Sequence, residues 1–356
     1  DVIFFSITYG PDAAGKITIA GVDAEGESDP AVADSFLAHP QIRIRHPIIA
    51  REDTLRQAPP LVLEDLQFGL DNRGSRHRFG ISAVPPANLA ARLDIRGELR
   101  GSLGEALDQL AGKVFVELQY ADLAGWRAWV DYPVHLPQGR GALRVWGDWN
   151  GGQAKVTADL ALEDLRIRLG PAVPELNLAV MRGRLSCRYG KGSWEIGGQR
   201  VELTTLDGLR LAPTDFHMDW RREPGSQGLT GSASANQLDL DALYRLAGHL
   251  PLDARSRELL TTHRPAGRIV DLRANWQIDG ETVKQYGLRA RFDRLGLAAA
   301  GYMPGASGLS GEVDANEKGG TLTLDAKDAS LELPAVFPEP RLAFAEMRAK
   351  ATWKKD

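Results

Sequence analysis

Alternation of apolar and polar residues with a period of two runs through most of this 356-residue chain, and it limits the possible folds more than any other feature. Such alternation predicts β-strands with one dry face and one wet face. In KVFVELQY, Val114, Val116, Leu118 and Tyr120 fall on one face. LRANW, TLTL and SLEL repeat the pattern, and Gly-rich turns such as NGG separate the strands. The sequence therefore predicts a mainly all-β protein.

One long predicted strand changes its apolar face partway along. In VTADLALEDLRIRL, Leu160 and Leu162 share a face up to Glu163, and Leu165 and Ile167 then take over. A slip of one residue in an otherwise regular strand predicts a β-bulge or bend. The motif LED also occurs in LEDLQFGL at 63–70, and paired acids at matching places suit a bend better than catalysis.

Helices are predicted to be few and short. Ser102 and Glu105 form a plausible capping box for a first helix, which would end near Gly112. A second helix is predicted from Asp239 to Gly248, and a third from Asp253 to about residue 262. Most side chains of interest therefore lie on strands and hairpin turns.

Weak internal similarity predicts a repetitive body. RGRLSCRYGKGSWEIGGQRVEL (182–203) aligns with the segment 310–333, and GRGALRVWGDW (139–149) resembles AGRIVDLRANW (266–276). This predicts one continuous, elongated β-groove over 1–356, with related modules at about 41–136, 137–264 and 265–356. The chain begins and ends inside strand-like segments, so we expect it to be an internal piece of a longer protein.

The segment EVDANEKGGTLTLDAKDASLEL (312–333) could be a calcium loop or a hairpin. A calcium loop needs oxygen ligands at positions 1, 3, 5 and 12, between two helices. Position 5 is Lys318, which has no acceptor, and position 12 is Asp325 rather than Glu. The residues that follow alternate as a strand. We therefore predict a hairpin turn and no metal site.

No recognisable catalytic or cofactor motif occurs. The seven histidines show no metal-ligand spacing, and there is no nucleophile elbow, P-loop or dinucleotide fingerprint. His217 and Asp219 lie on the polar face of DFHMDW, which is typical of a solvated strand. The net charge of −4 argues against nucleic acid, and the single Cys187 rules out an internal disulfide framework. We predict no enzyme activity and no cofactor.

The amount of one-faced sheet leaves two solutions open. Some fifteen to twenty strands must remove an apolar face from water, at roughly 1.5–3 kcal/mol per side chain, and three short helices cannot cover that area. Two sheets could close on each other as a sandwich or barrel. Alternatively, the sheet could curl into an open groove whose apolar lining is covered by a ligand with long acyl tails. Both bury the same face, so periodicity cannot separate them.

Several segments resemble one known family. LTTLDGLRLAPTDFHMDW (203–220), APPLVLEDLQFGLDNRGSRHRFGISA (58–83), LQYADLAGWRAWVDYP (118–133) and the run GLSGEVDANEKGGTLTLDAKDASLELPAVFPEPRL (308–342) resemble the YhdP branch of the AsmA-like proteins. The resemblance extends from about residue 40 to the end. These segments identify a relative without indicating a catalytic site.

The resemblance implies a fold, an activity and a location. It implies a long, curved antiparallel β-sheet whose hydrophobic groove carries phospholipid between the inner and outer membranes of a Gram-negative bacterium. The full-length protein would be anchored in the inner membrane, extend through the periplasm and meet outer-membrane components. Its partners would be phospholipids, the inner membrane and outer-membrane components. Nucleic acid is not expected as a partner.

Strand parity predicts which residues line such a groove. They are Val114, Val116, Leu118, Leu143, Val145, Leu160, Leu165, Ile167, Leu178, Val180, Leu185, Trp194, Ile196, Leu203, Phe216, Met218, Leu322, Leu324 and Leu331. The alternative is a closed structural or adhesive β-scaffold of the envelope without lipid cargo. A third hypothesis is a carbohydrate-binding module, which rests on Trp146 and Trp126 being exposed.

Overall fold

A computed structural model describes residues 6–11, 17–19, 22–23, 39–45, 48–53, 56–101, 111–132, 134–222, 228–280, 282–301, 303–334 and 341–355. Strands dominate these residues, which confirms the all-β prediction, and within each unit most strands pair antiparallel with their neighbours. The strands are β1 (Ser6–Pro11), β2 (Ile17–Ile19), β3 (Val22–Asp23), β4 (Gln41–Arg45), β5 (Ile48–Asp53), β6 (Ala58–Arg73), β7 (Arg76–Val84), β8 (Leu93–Arg100), β9 (Ala111–Asp122), β10 (His135–Asn150), β11 (Gln153–Arg168), β12 (Leu176–Gly190), β13 (Ser193–Thr205), β14 (Arg210–Arg222), β15 (Gly228–Asp239), β16 (Ala266–Asp279), β17 (Thr282–Leu297), β18 (Gly305–Asn316), β19 (Gly319–Glu332) and β20 (Arg341–Lys354). The described helices are α1 (Leu123–Trp126), α2 (Leu240–Ala247) and α3 (Ala254–His263).

The chain forms two compact units. Unit 1 consists of Asp1–Ile167 and Leu178–Lys191, and unit 2 consists of Arg168–Asn177 and Gly192–Asp356. Each unit is built mainly from antiparallel strands that follow one another in the chain. The three modules expected from internal similarity stay a prediction.

In unit 1, β6 to β10 pair in chain order as antiparallel neighbours, and β4 pairs with the far edge of β6. Towards its start, β6 also pairs with β5, which runs parallel to β1. In turn, β1 pairs with β2, and β2 with β3. Antiparallel pairing of β6 to β10 in chain order makes this part of the unit a meander.

Part of the core of unit 1 lies at one end of its strands, the end at which helix α1 packs on β10. Leu66, Ala83 and Ala121 are buried there with Trp126. The indole Nε1 of Trp126 donates to the carbonyl oxygen of Leu89 at 3.1 Å, which satisfies the polar atom of a buried ring. Helix α1 therefore contributes its own side chains, Leu123 and Trp126, to this core.

In unit 2, β13 to β20 form a second antiparallel meander, with both longer helices inserted between β15 and β16. Asp239 caps α2 by accepting from the backbone N–H of Ala242 at 2.9 Å, and Asp253 caps α3 by accepting from Ser256 N–H at 2.9 Å. The second and third predicted helices are thereby confirmed. The first predicted helix, from Ser102, falls on 102–110, outside the described residues.

The predicted hairpin within 312–333 is confirmed. β18 ends at Asn316, which is paired with Gly319 at the start of β19. The amide oxygen of Asn316 accepts from the backbone N–H of Lys318 at 2.9 Å, as expected for an Asn that closes a turn. Lys318 is exposed at the tip.

β-Bulges bend the strands of unit 1. Asp65 and Asp164 have φ angles of 45° and 51°, in the left-handed region that Asp tolerates better than most residues. Leu162 and Leu165 are both buried although they are three residues apart, so the apolar face shifts by one residue at Asp164. The slip predicted from the sequence at this point is confirmed.

A bulge in β9 corrects one detail of the predicted parity. Leu118 opposes Leu143, but Ala121 opposes Gly141, so the apolar face passes from Leu118 to Ala121. Tyr120 lies within the bulge and is exposed. Its predicted place beside Leu118 is therefore wrong, because regular alternation ends at the bulge.

Unit 2 carries a set of bulges that we call the bulge line: Arg200, Asp271, Arg294 and Asp328, with φ angles of 50°, 52°, 51° and 53°. A neighbouring strand satisfies backbone groups there. The N–H of Arg200 donates to Asp215 at 2.7 Å, and the N–H of Arg294 donates to Ser310 Oγ at 3.1 Å. Bulges increase strand twist and bending, so bulges in several strands curl the sheet.

Candidate functional site

One face of the unit 1 sheet is a continuous apolar surface. Strand register places six apolar residues directly opposite one another, one from each neighbouring strand. They are Ile44, Phe68, Ile81, Ile95, Val116 and Val145. All six are half-buried, whereas the interior of a closed sandwich would bury such residues fully. We call this surface the unit 1 apolar face.

Rows on either side extend the unit 1 apolar face. Leu93, Leu118 and Leu143 form one such row, and Leu70, Phe79 and Val114 belong to another. In the second row, the ring of Phe79 lies over Gly97, where an added Cβ would come within 2.4 Å of it. Because Gly97 has no side chain, the Phe79 ring can cover the strand at this point.

The opposite face of unit 1 is charged and ion-paired. Glu98 is its centre, with Arg76 at 2.7 Å, Arg78 at 3.0 Å and Arg100 at 2.8 Å. Hydrogen bonds from Arg76 and then Arg78 are the main causes that lower the pKa of Glu98 from 4.5 to about 2. Arg144 pairs with Glu117 at 2.9 Å on the same face. Oppositely charged cross-strand pairs of this kind suit a water-facing surface.

Unit 2 repeats this division of faces. One register row contains Ile196, Met218, Ala233, Ala274, Leu288, Ala315, Gly320 and Trp353. The adjacent row contains Trp194, Trp220, Gly231, Trp276 and Tyr286. We call this surface the unit 2 apolar face.

Several large side chains of the unit 2 apolar face are exposed. Trp194 and Met218 are each 39% exposed, and Trp353 is 41% exposed. By comparison, Leu178 in a packed region of unit 1 is 2% exposed. Within the described part of the chain, then, the unit 2 apolar face is not covered as a sandwich core would be. This favours the open alternative over the closed one.

The opposite face of unit 2 is polar. Asp271 accepts from Arg291, and a depression of about 550 Å³ beside this pair is also lined by Glu312 and Asp314. His217 Nε2 and Asp219 Oδ1 are 3.6 Å apart and nearly half exposed, and Ser232 also donates to Asp219. This is the solvated strand face that the sequence predicts for that pair.

The predicted lining residues fall into three groups. On the apolar faces, by register, lie Val114, Val116, Leu118, Leu143 and Val145 in unit 1 and Trp194, Ile196, Leu203, Phe216, Met218, Leu322, Leu324 and Leu331 in unit 2. Leu165 and Leu178 are buried as core, at 4% and 2% exposure. Half-buried positions are held by Leu160, Ile167, Val180 and Leu185. Contact of any of them with lipid stays a prediction.

Sequence reasoning missed members of both faces. Ile44, Ile81 and Ile95 complete the unit 1 row, and Ala274 and Leu288 extend the unit 2 row. Alternation in QIRIR and LDIRGELR marks Ile44 and Ile95 as one-faced strand residues, and Ile81 alternates with Gly80 and Ser82 in RHRFGISAV. Only the strand register, which periodicity does not supply, places them beside Val116.

The aromatic residues invoked for carbohydrate binding differ from expectation. Trp126, the last residue of helix α1, is buried, so its predicted exposure is wrong; its indole N–H donates to the carbonyl oxygen of Leu89. Trp146 lies on the charged face, half-buried, with its ring 5.4 Å from that of Phe115 and 5.5 Å from the guanidinium carbon of Arg184. These contacts account for Trp146 as part of a packed cluster on that face.

Two further classes of site have no match among the described residues. None of their His, Cys, Asp and Glu side chains forms a group of three or more that could hold a metal ion. Nor does any described helix reach the length and hydropathy that crossing a membrane requires.

A family model described as "YhdP protein" matches residues 6–356, which is nearly the whole chain. No curated protein and no solved structure matches it.

Proposed function

The chain belongs to the YhdP family, and from that premise and its uncovered apolar faces we propose that it is a length of a lipid-carrying envelope protein. In this proposal, phospholipid acyl chains lie against the unit 1 and unit 2 apolar faces while head groups stay in water. The observation that carries the proposal is the exposure of Trp194, Met218 and Trp353 within a continuous apolar surface. A soluble protein rarely leaves such a surface without a ligand or partner.

The physical need for such a surface is large. Each CH₂ group exposed to water costs ~0.8 kcal/mol, so a two-tailed lipid with on the order of 30 such groups faces ~24 kcal/mol. An apolar face that replaces water along the tails removes most of this cost. Movement between similar neighbouring sites then needs no full exposure of the lipid.

The composition of the faces suits sliding rather than tight capture. Ala233, Ala274 and Ala315 present small side chains in one row, so acyl chains can approach the strand surface closely. Aliphatic contacts are non-directional and individually weak. In unit 1, polar groups that would fix one head group are concentrated on the opposite face, as with the Glu98 cluster.

The same proposal includes the environment that the family resemblance implies. The charged faces would be in contact with the aqueous periplasm, and the full-length protein would be held in the inner membrane and reach outer-membrane components. No catalytic step is part of this proposal.

The test uses two neighbouring residues on β15. Ala233 lies on the unit 2 apolar face, whereas Ser234 lies on the polar face opposite His217 and Arg273. A carboxylate in a hydrocarbon environment costs about 2.5–3.5 kcal/mol, which is roughly a 70- to 370-fold loss of affinity. We expect Ala233→Asp to lose phospholipid and Ser234→Asp to keep it, as measured by native mass spectrometry after loading from vesicles.

Circular dichroism and urea unfolding of both variants complete this test. We expect both proteins to be folded, because neither Ala233 nor Ser234 is fully buried. Unfolding of Ala233→Asp alone would identify a closed core and support the scaffold alternative. Equal lipid loading of both folded variants would contradict the proposed lipid-binding face.

A further inference from the structure

Every tryptophan of unit 2 lies towards the same end of the strands on the unit 2 apolar face. Trp194, Trp220 and Trp276 share one register row with Tyr286, and Trp353 lies in the adjacent row. At this end of the strands lie the turn that follows Asp279, after β16, and the turn at Lys318, between β18 and β19. We call these five residues the aromatic rim.

The rings of the aromatic rim lie along the surface and keep contact with water. Trp194 and Trp220 are stacked, with ring centroids 6.2 Å apart and an interplanar angle of 15°. The ring of Trp276 lies over Gly231, where an added Cβ would be 2.7 Å from it. Trp194 and Tyr286 remain more than a third exposed. Each residue thus brings an apolar ring and one polar N–H or O–H group to this end of the face.

The other end of the same face has a different composition. Beyond the bulge line, the register rows contain Leu203, Ile269, Leu295 and Leu331, which have no side-chain polar atom. Helix α2 packs near this end against β15 and β16, with Leu246 buried. The unit 2 apolar face therefore changes along its strands, from aromatic residues with polar groups at the aromatic rim to aliphatic residues near helix α2.

Tryptophan and tyrosine collect where hydrocarbon meets polar head groups, because their rings are apolar and their N–H or O–H groups need a partner. Arg222 and Lys284 lie just outside the aromatic rim and are exposed. Either can donate to a phosphate, and Lys284 is only loosely paired, at 3.9 Å from Asp279.

The dimensions of the face also fit a lipid that lies along the strands. From Trp276 to Ile269, seven residue steps of about 3.3 Å give about 23 Å of apolar strand. The hydrocarbon of one bilayer leaflet is about 15 Å thick, half of the ~30 Å core. The bulge at Asp271 is five steps, about 17 Å, from Trp276. An acyl chain that begins at the aromatic rim therefore ends at about the bulge line, next to the aliphatic residues beyond it.

We propose that the aromatic rim holds the phosphate-bearing head groups of bound phospholipids, with the acyl chains directed towards the bulge line and helix α2. This inference rests on the proposed lipid-carrying function and adds the orientation of the cargo. It predicts that one long edge of the face is the polar edge and the other is the hydrocarbon edge.

Photo-crosslinking on the wild-type chain tests the orientation. Two phosphatidylethanolamine probes are used, one with a diazirine in the head group and one with a diazirine at the end of an acyl chain. Each is loaded from phosphatidylethanolamine and phosphatidylglycerol vesicles, and adducts are located by peptide mass spectrometry. We expect head-group adducts near Trp220 and Trp276, and chain-end adducts near Leu203, Ile269 and Leu331.

The possible results separate the two proposals. Reversed adducts, or both probes spread equally over the face, would overturn the orientation and leave lipid binding intact. No adduct of either probe on the apolar face would overturn the proposed function, and the orientation with it.

A variant provides a second measurement. Replacing Trp220 and Trp276 by leucine keeps the surface apolar but removes the indole N–H groups. We expect the head-group adducts at the rim to be lost while the chain-end adducts persist. An equal loss of both would indicate only a structural role for these rings, and unchanged head-group adducts would also overturn the orientation.

Discussion

The same Leu→Ala change made at two places in unit 1 distinguishes an open face from a closed core. Leu178 is 2% exposed, whereas Leu70 is half-buried on the unit 1 apolar face between Ile42 and Phe79. The change removes three carbons, worth about 0.8 kcal/mol each when they are fully buried. At an enclosed site the cavity adds to this, for a total of about 3–5 kcal/mol.

At Leu70 the expected loss is smaller. The side chain is partly in water already and its removal leaves no enclosed cavity, so we expect about 1–1.5 kcal/mol. Both free energies of unfolding are measured by urea denaturation of delipidated protein, from the midpoint and the slope. Losses of 3 kcal/mol or more at both positions would refute the open face, because Leu70 would then be packed against a covering layer.

Three other predictions concern the charged face, the glycines and the bulges. Because the pKa of Glu98 is lowered to about 2, its stabilising contribution is present above its ordinary pKa of 4.5 and is lost as pH falls towards 2. Glu98→Gln should therefore reduce the pH dependence of the free energy of unfolding in that window, and an unchanged dependence would contradict the lowered pKa of Glu98. Gly198→Ala should lower the free energy of unfolding by about 1–3 kcal/mol, because the new Cβ would lie 2.2 Å from the Phe216 ring. Phe216→Ala in the same protein should relieve most of this loss, and additive losses in the double-mutant cycle would argue against the clash. Asp164→Val should lower the free energy of unfolding in urea by about 1–2 kcal/mol, because the φ angle of residue 164 is 51°. Asp164→Gly should avoid this loss, and equal losses in the two variants would contradict a left-handed backbone there.

Much of the strand arrangement follows from alternation alone. Val114 and Val116 are placed on one face by the sequence, and the register confirms it. The bulge at Asp164 was also predictable, because the apolar positions change parity there. Tyr120 could not be placed correctly, since the bulge in β9 follows no visible break in the alternating pattern.

The candidate site was harder to predict than the fold. Alternation tells which side of a strand is apolar but not which residues of other strands lie beside it. Leu165 and Leu178 have the same pattern as Val116, yet they are buried while Val116 is half-buried. The aromatic rim likewise appears only when β13 to β20 are aligned, because Trp194, Tyr286 and Trp353 are distant in the sequence.

The central claim is that the apolar faces carry lipid, and native mass spectrometry of the purified chain, followed by organic extraction, tests it most directly. The proposed function predicts several phospholipid molecules per chain, exchangeable with labelled lipid from vesicles. A mass equal to that of the protein alone, with no uptake from labelled vesicles, would contradict it.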